Sequence, residues 1–324
     1  MTKARTTPYA NCLFEQPWWL DIVAPGQWDE ILIEEKGRVV ARMPYVKRNS
    51  VICMPPYTQT LGIWMAPEVK ASYARQKRVI NEILDALNGY KRVSVQLPPQ
   101  NEYVLPFRWR GYNVAPRFTY RLEDLSDLDA VFGNFSKKAR KNIRGAAKKV
   151  KINNDTDTDN LWRLINSTFS RQNMKPPLPK RIIDHIVTSC EALNHGKYFE
   201  ARDEQGNIHS CSYFVYDDQT CYDLMGGSDN RYNQDSCARS LVMWESIKFA
   251  ASHSRVFDFE GSNIEGIEHF FQQFGGRCTP YYVVSNQTPL RMIGHIILEH
   301  SPLLRKTVDT ARKAAKFIRH GGRQ

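Results

Sequence analysis

Two acids on one strand carry the first chemical signal in this chain. The stretch "VFDFEGSNIEGIEHFFQQFGG", Val256 to Gly276, opens as a buried strand yet holds Asp258 and Glu260. Residues two apart on a strand share a face, so both carboxylates point one way and Phe257 and Phe259 the other. Burying an ionised carboxylate without a partner costs on the order of several kcal/mol. Such a pair either serves as a base or amine-orienting group in proton transfer, or closes a buried ion pair, with Arg239 or Arg255 as the cation. Arg239 itself sits one turn into a predicted helix, where it meets either a phosphate or a carboxylate. Tyr213 and Tyr222, on adjacent predicted strands, either face the same cleft or pack the sheet. The polar–aromatic loop "PPYTQTLGIW" offers Tyr57, Gln59 and Trp64 as acceptor contacts, since loops on rigid scaffolds carry function.

Charge adds a second signal. The net charge is +11, and it is concentrated. "SKKARKNIRGAAKKVK", Ser136 to Lys151, holds eight Lys or Arg and no acid, and Arg140 and Arg144 share one helix face at i, i+4. The last 22 residues hold seven Lys or Arg against Asp309 alone. Their apolar positions, Leu304, Val308, Ala311, Ala315 and Ile318, recur at helical spacing. This predicts a basic amphipathic helix that lies on an anionic membrane or docks on the protein itself. Blocks this dense suit phosphate-rich partners: nucleotide, RNA or anionic lipid. The alternative is a solvated, solubilising surface.

Several classes are excluded on sequence grounds. No apolar run approaches the ~18 residues of a spanning helix, and no apolar leader opens the chain, so a cytoplasmic protein is expected. Seven cysteines lie scattered without CxxC spacing, which predicts reduced thiols. Each cysteine reads first as core filler, and Cys211 and Cys221 have the alternative of facing each other across a hairpin. Among eight histidines there is no HExxH, and His295 and His300, five apart, suit one helix face poorly, so no metal site is expected.

The elements that must position these groups recur in order. Near the N-terminus, "DEILIEE" and "RVVARMPYV" flank a turn at Lys36-Gly37, and "SVICMPP" adds a third strand. A helix follows over Pro67 to Asn88, then the strand "RVSVQLPP", a short helix and the strand "RFTYRLE". The second half repeats this: a hairpin turned at Gln205-Gly206-Asn207, the strand "TCYDLMGG", a helix over Asp235 to Ser252, then "RVFDFEG", a glycine-closed helix and "PYYVVS". "FRWRGYNVAPRFTY" and "FQQFGGRCTPYYVV" match in Phe, Gly and Pro spacing. The order indicates a duplicated β-β-β-α-β-α-β unit and a mixed sheet with helices on its faces, an α/β fold. Helices lie between the copies, among them the basic helix, which Ser136 caps. Aligned without gaps from the shared Arg-Val of Arg92 and Arg255, Asp258 falls on Val95 and Glu260 on Leu97. On that alignment the first copy is apolar where the second is acidic, which points to the second copy as the active one.

This order resembles the GNAT acyltransferase fold, and its duplication resembles the FemAB-like branch, with its peptidoglycan-bridge aminoacyltransferases and BioF2-like acetyltransferases. The resemblance covers about Phe14 to Ser285. "FSKKARKNIRGAAK", "DSCARSLVMWESIKFA" and "FDFEGSNIEGIEHFFQQFGG" carry it. It implies two tandem GNAT-like mixed-sheet units: residues 1–125, then a helical insert over 126–195 that belongs to the second unit, the second unit over 196–300 and the basic tail over 301–324. It implies transfer of an acyl group to an amine, with an acyl-CoA or acetyl-CoA donor in GNAT enzymes and aminoacyl-tRNA in bridge-forming ones.

By the same resemblance, "NRYNQDSCARS" stands at the phosphate loop, so Asn233, Gln234, Ser236, Cys237 and Arg239 are the donor-binding candidates, at a helix N-terminus that suits an anion. Ser236 also reads as a cap. The family's glycines are missing there, and Asp235 repels phosphate. Phe270 and Phe271 stand where many GNAT enzymes place a tyrosine acid. Phe271 also replaces the lysine of bridge-forming members, which favours acyl-CoA over tRNA. The expected acceptor is an amine of a small-molecule or lipid-linked glycan, such as an amino sugar or muropeptide, met at the inner face of the membrane. A silent module that grips RNA or anionic lipid through the two basic blocks is the alternative of another class.

Overall fold

Lys36 and Gly37 both take positive φ, 52° and 74°. Two left-handed residues in succession give the turn whose twist suits a hairpin, and they join β1 (Trp28–Glu35) to β2 (Arg38–Arg48) after a first helix, α1 (Pro17–Val23). The computed structural model describes residues 5–171, 179–261 and 265–287. The expected C-terminal helix and the His295–His300 pair lie outside these residues.

The first unit continues through β3 (Val51–Cys53), β4 (Trp64–Met65), α2 (Pro67–Lys70), α3 (Tyr73–Ala86), β5 (Arg92–Leu97), α4 (Leu105–Trp109) and β6 (Asn113–Leu122). The helix expected over Pro67 to Asn88 is thus two. Ser72 is extended and caps α3, its Oγ accepting from the Arg75 amide at 3.4 Å. Next come α5 (Leu128–Asn134), α6 (Lys137–Ala146), β7 (Lys151–Asn153), α7 (Thr158–Arg171) and α8 (Lys180–Ala192). Ser136 caps the basic helix α6 as its sequence predicts, accepting from the Ala139 amide at 3.0 Å.

The second unit runs β8 (Gly196–Arg202), β9 (Ile208–Tyr216), β10 (Thr220–Ser228), α9 (Asn230–Ser236), α10 (Ala238–Ala251), β11 (Val256–Asp258), α11 (Glu265–Gln272) and β12 (Arg277–Ser285). Gly111 and Gly275, the repeated glycines, both hold left-handed φ, 82° and 69°, after α4 and α11. The helix expected from Asp235 begins at Ala238 instead, because Cys237 takes φ 55° and breaks the path from α9.

The described strands form one mixed sheet in the order β1-β2-β3-β5-β12-β6-β11-β10-β9-β8-β7, with β4 beside β2. The two halves exchange their last strands. β12 inserts between β5 and β6 of the first half, and β6 pairs with β11 of the second. Three cores flank the sheet. One packs α3 on the first unit through Val79, Ile83 and the strand residues Ile52, Val93, Val95 and Leu97. The other two cover opposite faces of the second unit. α1, α7 and α8 lie over Tyr213, Tyr222 and Leu224, and α5, α6, α10 and α11 over Phe214, Cys221, Phe257 and Phe259. Cys211 and Cys221 therefore point to opposite faces, and do not face each other. Their register explains it: Cys211 pairs with Gly227 and Cys221 with Tyr216.

Register also corrects the comparison of the two copies. Ile52 pairs with Val93, and Cys221 with Phe257, and each pair packs on its unit's crossover helix. Phe257 is thus the counterpart of Val93, Asp258 of Ser94 and Glu260 of Gln96. The gap-free alignment from Arg-Val was one residue out, and a one-residue slip swaps the faces of a strand. Phe271, Gly275 and Pro280 each stand 164 residues after Phe107, Gly111 and Pro116, whereas Arg255 stands 163 after Arg92. The first copy is therefore polar but uncharged where the second is acidic.

Candidate active site

β10 and β11 run parallel only from Thr220–Val256 to Tyr222–Asp258. Beyond that point β10 continues to Ser228, with a bulge between Tyr222 and Met225, and the two strands part. The parting leaves Asp223 on one lip and Glu260 on the other. Bulges re-aim side chains beside functional sites.

Asp258 is 2 % exposed. One oxygen, Oδ1, accepts from Thr119 Oγ1 at 2.5 Å, from the Glu260 amide at 2.8 Å and from Gln59 Nε2 at 3.3 Å. The other, Oδ2, lies 3.7 Å from Arg121 Nε, an ion pair without a hydrogen bond. Arg121 is its direct neighbour across β6. The cation beside Asp258 is therefore Arg121, and neither Arg239 nor Arg255. Burial raises the proton affinity of Asp258, and Thr119, Arg121, the Glu260 amide and Gln59 oppose that rise.

Glu260 is held differently. Its φ is 56°, the left-handed region that glutamate rarely adopts. Gly261 follows at φ 45°, and a Cβ there would meet the Phe118 carbonyl oxygen and sit 2.5 Å from Thr119 Cα. The chain thus presses its backbone against β6 to turn Glu260 into the gap. Oε1 of Glu260 is buried and has no hydrogen-bond partner among the described residues. Burial, then Asp258 and Asp223, push its carboxyl well above the ordinary range.

Arg239 reaches this gap from α10. Its guanidinium donates to Asp223 Oδ2 at 2.5 Å, to Ser212 Oγ at 2.5 Å and to the Cys211 carbonyl at 3.3 Å. Its charged partner among the described residues is thus the carboxylate of Asp223. Gln59 bridges the units through Asp258. Two residues before it, Tyr57 sits at φ 51° with a buried, unpartnered Oη, and burial pushes its hydroxyl up to about 12. Tyr222 is the strand neighbour of Asp258 and packs on Phe14, with ring centroids 4.7 Å apart.

Other candidates fall elsewhere. Tyr213 is core, its hydroxyl donating to the Val187 carbonyl at 3.1 Å. Trp64 packs on Tyr9 with ring centroids 5.0 Å apart. The presumed phosphate loop is helix α9, and its side chains cap α10. Asn233 Oδ1 accepts from the Arg239 amide at 2.9 Å, and Ser236 Oγ from the Ala238 amide at 3.2 Å. The Ser240 amide is taken by the Cys237 carbonyl at 2.9 Å. Ser236 also meets His209 Nδ1 at 2.8 Å. Gln234 is exposed and Cys237 half-buried. Arg140 and Arg144 line an open concavity of about 460 Å³ on α6 with Lys137, Lys141 and Lys148. Arg140 donates to the Gly133 carbonyl, and Arg144 lies 5.6 Å from the Phe132 ring centre. Among the described residues no cluster of His, Cys, Asp or Glu is arranged to hold a metal, and no helix is long and apolar enough to cross a membrane.

Sequence reasoning missed Asp223, Arg121 and Thr119. Asp223 carries the same signal as Asp258, an acid inside an apolar strand. Arg121 and Thr119 are identified only by strand pairing.

Residues 134–272 match the family described as "Acetyltransferase (GNAT) domain". Over those residues, fewer than half of the total, the chain is similar to a GNAT acetyltransferase domain, and its two-unit mixed-sheet fold is shared by solved structures. FemX shares that fold with a TM-score of 0.63 at 14% identity, over 86% of this chain and 93% of FemX. The C-terminal domain of a putative lysylphosphatidylglycerol synthetase from Agrobacterium fabrum matches at 0.56 and 11% identity, over 86% and 91% of the two chains. L-PGS from Bacillus licheniformis matches at 0.52 and 14% identity, over 86% and 89%. No curated protein matches the chain in sequence.

Proposed function

We propose that this protein is an N-acyltransferase and that Glu260 is its base. The observation that carries this reading is the buried, unanswered Oε1 of a strained glutamate at the parting of β10 and β11. Backbone strain and orphaned polar atoms cost stability and persist where function uses them. In the reaction, the nitrogen of a neutral amine attacks the acyl carbon of an ester or thioester. The carbon–oxygen or carbon–sulfur bond to the leaving group breaks, and the amine's proton passes to Glu260. A carboxylate whose proton affinity is raised is a better base near neutral pH. Asp258 holds the Glu260 amide and so positions it.

Acyl-CoA is the donor that the GNAT domain suggests. The acceptor we infer is an amine on a cell-envelope precursor, a small-molecule or lipid-linked amino sugar or muropeptide. The site of work is then the cytoplasm near the inner face of the membrane, with the C-terminal segment as a peripheral contact. A second donor, aminoacyl-tRNA, is favoured by two observations. The first amides of α10 are already taken by Asn233, Ser236 and Cys237, and α6 exposes a row of cations.

Adding acetyl-CoA at about 100 times its Kd should raise stability by about 2.7 kcal/mol if CoA binds. No shift at saturation removes that donor, and tRNA binding with a steep salt slope supports the other. Turnover that survives both Asp258→Asn and Glu260→Gln would end the base assignment. Ligand binding without acyl product from either donor would favour a silent RNA- or lipid-binding module.

A further inference from the structure

The first unit carries an open groove of about 870 Å³ between the start of α3 and the loop that leads from β5 into α4. Tyr73 and Tyr103 form its aromatic wall, with ring centroids 5.0 Å apart and planes at 50°. Tyr73 is 71% exposed and Leu105, also in the lining, 47%. Gln76, Gln100, Lys70 and Glu102 add polar groups to the lining, and Ala71 and Leu105 add apolar ones. Trp109, 58% exposed, continues the apolar edge along α4, with the Lys77 ammonium 4.9 Å from its ring centre.

We propose that this groove binds a neutral sugar chain. A pyranose ring has a flat C–H face and a rim of hydroxyls that both donate and accept. An exposed tyrosine face takes the first, and amides and a carboxylate take the second. The size falls within that of small-molecule sites. Charge argues against a polyanion, since the lining holds one cation, Lys70, and one anion, Glu102. A protein partner would call for a continuous apolar patch, whereas polar and apolar groups share this lining about equally.

The groove is also built in advance. Asn101, in the chain between the lining residues Gln100 and Glu102, bonds both the amide and the carbonyl of Ile63, each at 2.8 Å. Gln76 Nε2 is fixed on the Lys70 carbonyl at 2.8 Å. Preformed walls lower the ordering cost of binding. Nothing in this assignment rests on the acyl-transfer reading.

Titration of the full chain with cellotetraose and with N-acetylchitotetraose, followed by calorimetry and amide chemical shifts, tests it. Saturable binding to one of them is expected, with shifts centred on residues 70–76 and 100–105. Tyr73→Ala should weaken it at least about tenfold, or about 1.4 kcal/mol. Tyr73→Phe should retain it, because the ring face and not the hydroxyl makes the contact. The affinity should hold from about 50 to about 500 mM salt, as a neutral ligand requires. Glu260→Gln should bind like the wild type. The proposal is overturned by absence of saturable binding up to about 10 mM sugar, by Tyr73→Ala binding as the wild type does, or by a proline-rich peptide filling the groove where sugars do not.

Discussion

Glu260 holds a backbone angle foreign to glutamate, beside a carboxylate that already takes three hydrogen bonds. Its raised proton affinity sets two opposed trends. The stability tied to its proton is complete below the ordinary value of 4.5 and is lost as pH climbs through the raised folded value. Glu260→Gln should therefore melt higher than the wild type, by a margin that widens with pH. Calorimetry from about pH 5 to about pH 9 reads this margin, and a constant gap would show that Glu260 titrates alike folded and unfolded. Turnover runs the other way, because a base works only when deprotonated. It should rise across the same window, and Glu260→Gln should lower kcat by about 10²–10⁴-fold. Both acids were legible in the sequence because a charge inside an apolar strand stands out locally. Their partners were not, since Arg121 and Thr119 reach Asp258 only through the pairing of β6 with β11.

The elements show why the turns around the site resist change. Gly261 lies against Phe118 and Thr119 at positive φ. Gly261→Ala should cost about 1–3 kcal/mol in urea titrations and should lower turnover by moving Glu260. Ser236 caps α10 and holds His209. Ser236→Ala should cost about 1 kcal/mol, read in the same titrations, and an unchanged midpoint would show the cap to be idle. The sequence placed most helices and strands, because their periodicities are local. It overran at Cys237, where one left-handed residue divides α9 from α10. It also aligned the copies one residue out, although the Phe, Gly and Pro spacing held the correct offset.

At the scale of the whole molecule, the duplication was legible and the strand order was not. Nothing in "PYYVVS" says that β12 will lie between β5 and β6, since pairing partners far apart in sequence leave no local mark. The exchange should make the halves one cooperative body. Residues 1–125 alone would expose β6 without β12 or β11 beside it, and open edges invite association. Each half expressed alone should show no cooperative melt, whereas circular dichroism and tryptophan fluorescence of the full chain should trace one coincident transition. Two separate transitions would show that the shared ladder does not couple them.

That shared ladder also bears on origin. Trading a terminal strand between two equal units is what a domain-swapped homodimer does. Joining two such subunits end to end keeps the swap while freeing each copy to diverge. A symmetric ancestor would carry the same residues at both partings of the sheet. In this chain one parting holds Asp258 and Glu260, and the other holds Ser94 and Gln96. Fusion is the step that lets a twofold-symmetric assembly afford a single charged centre.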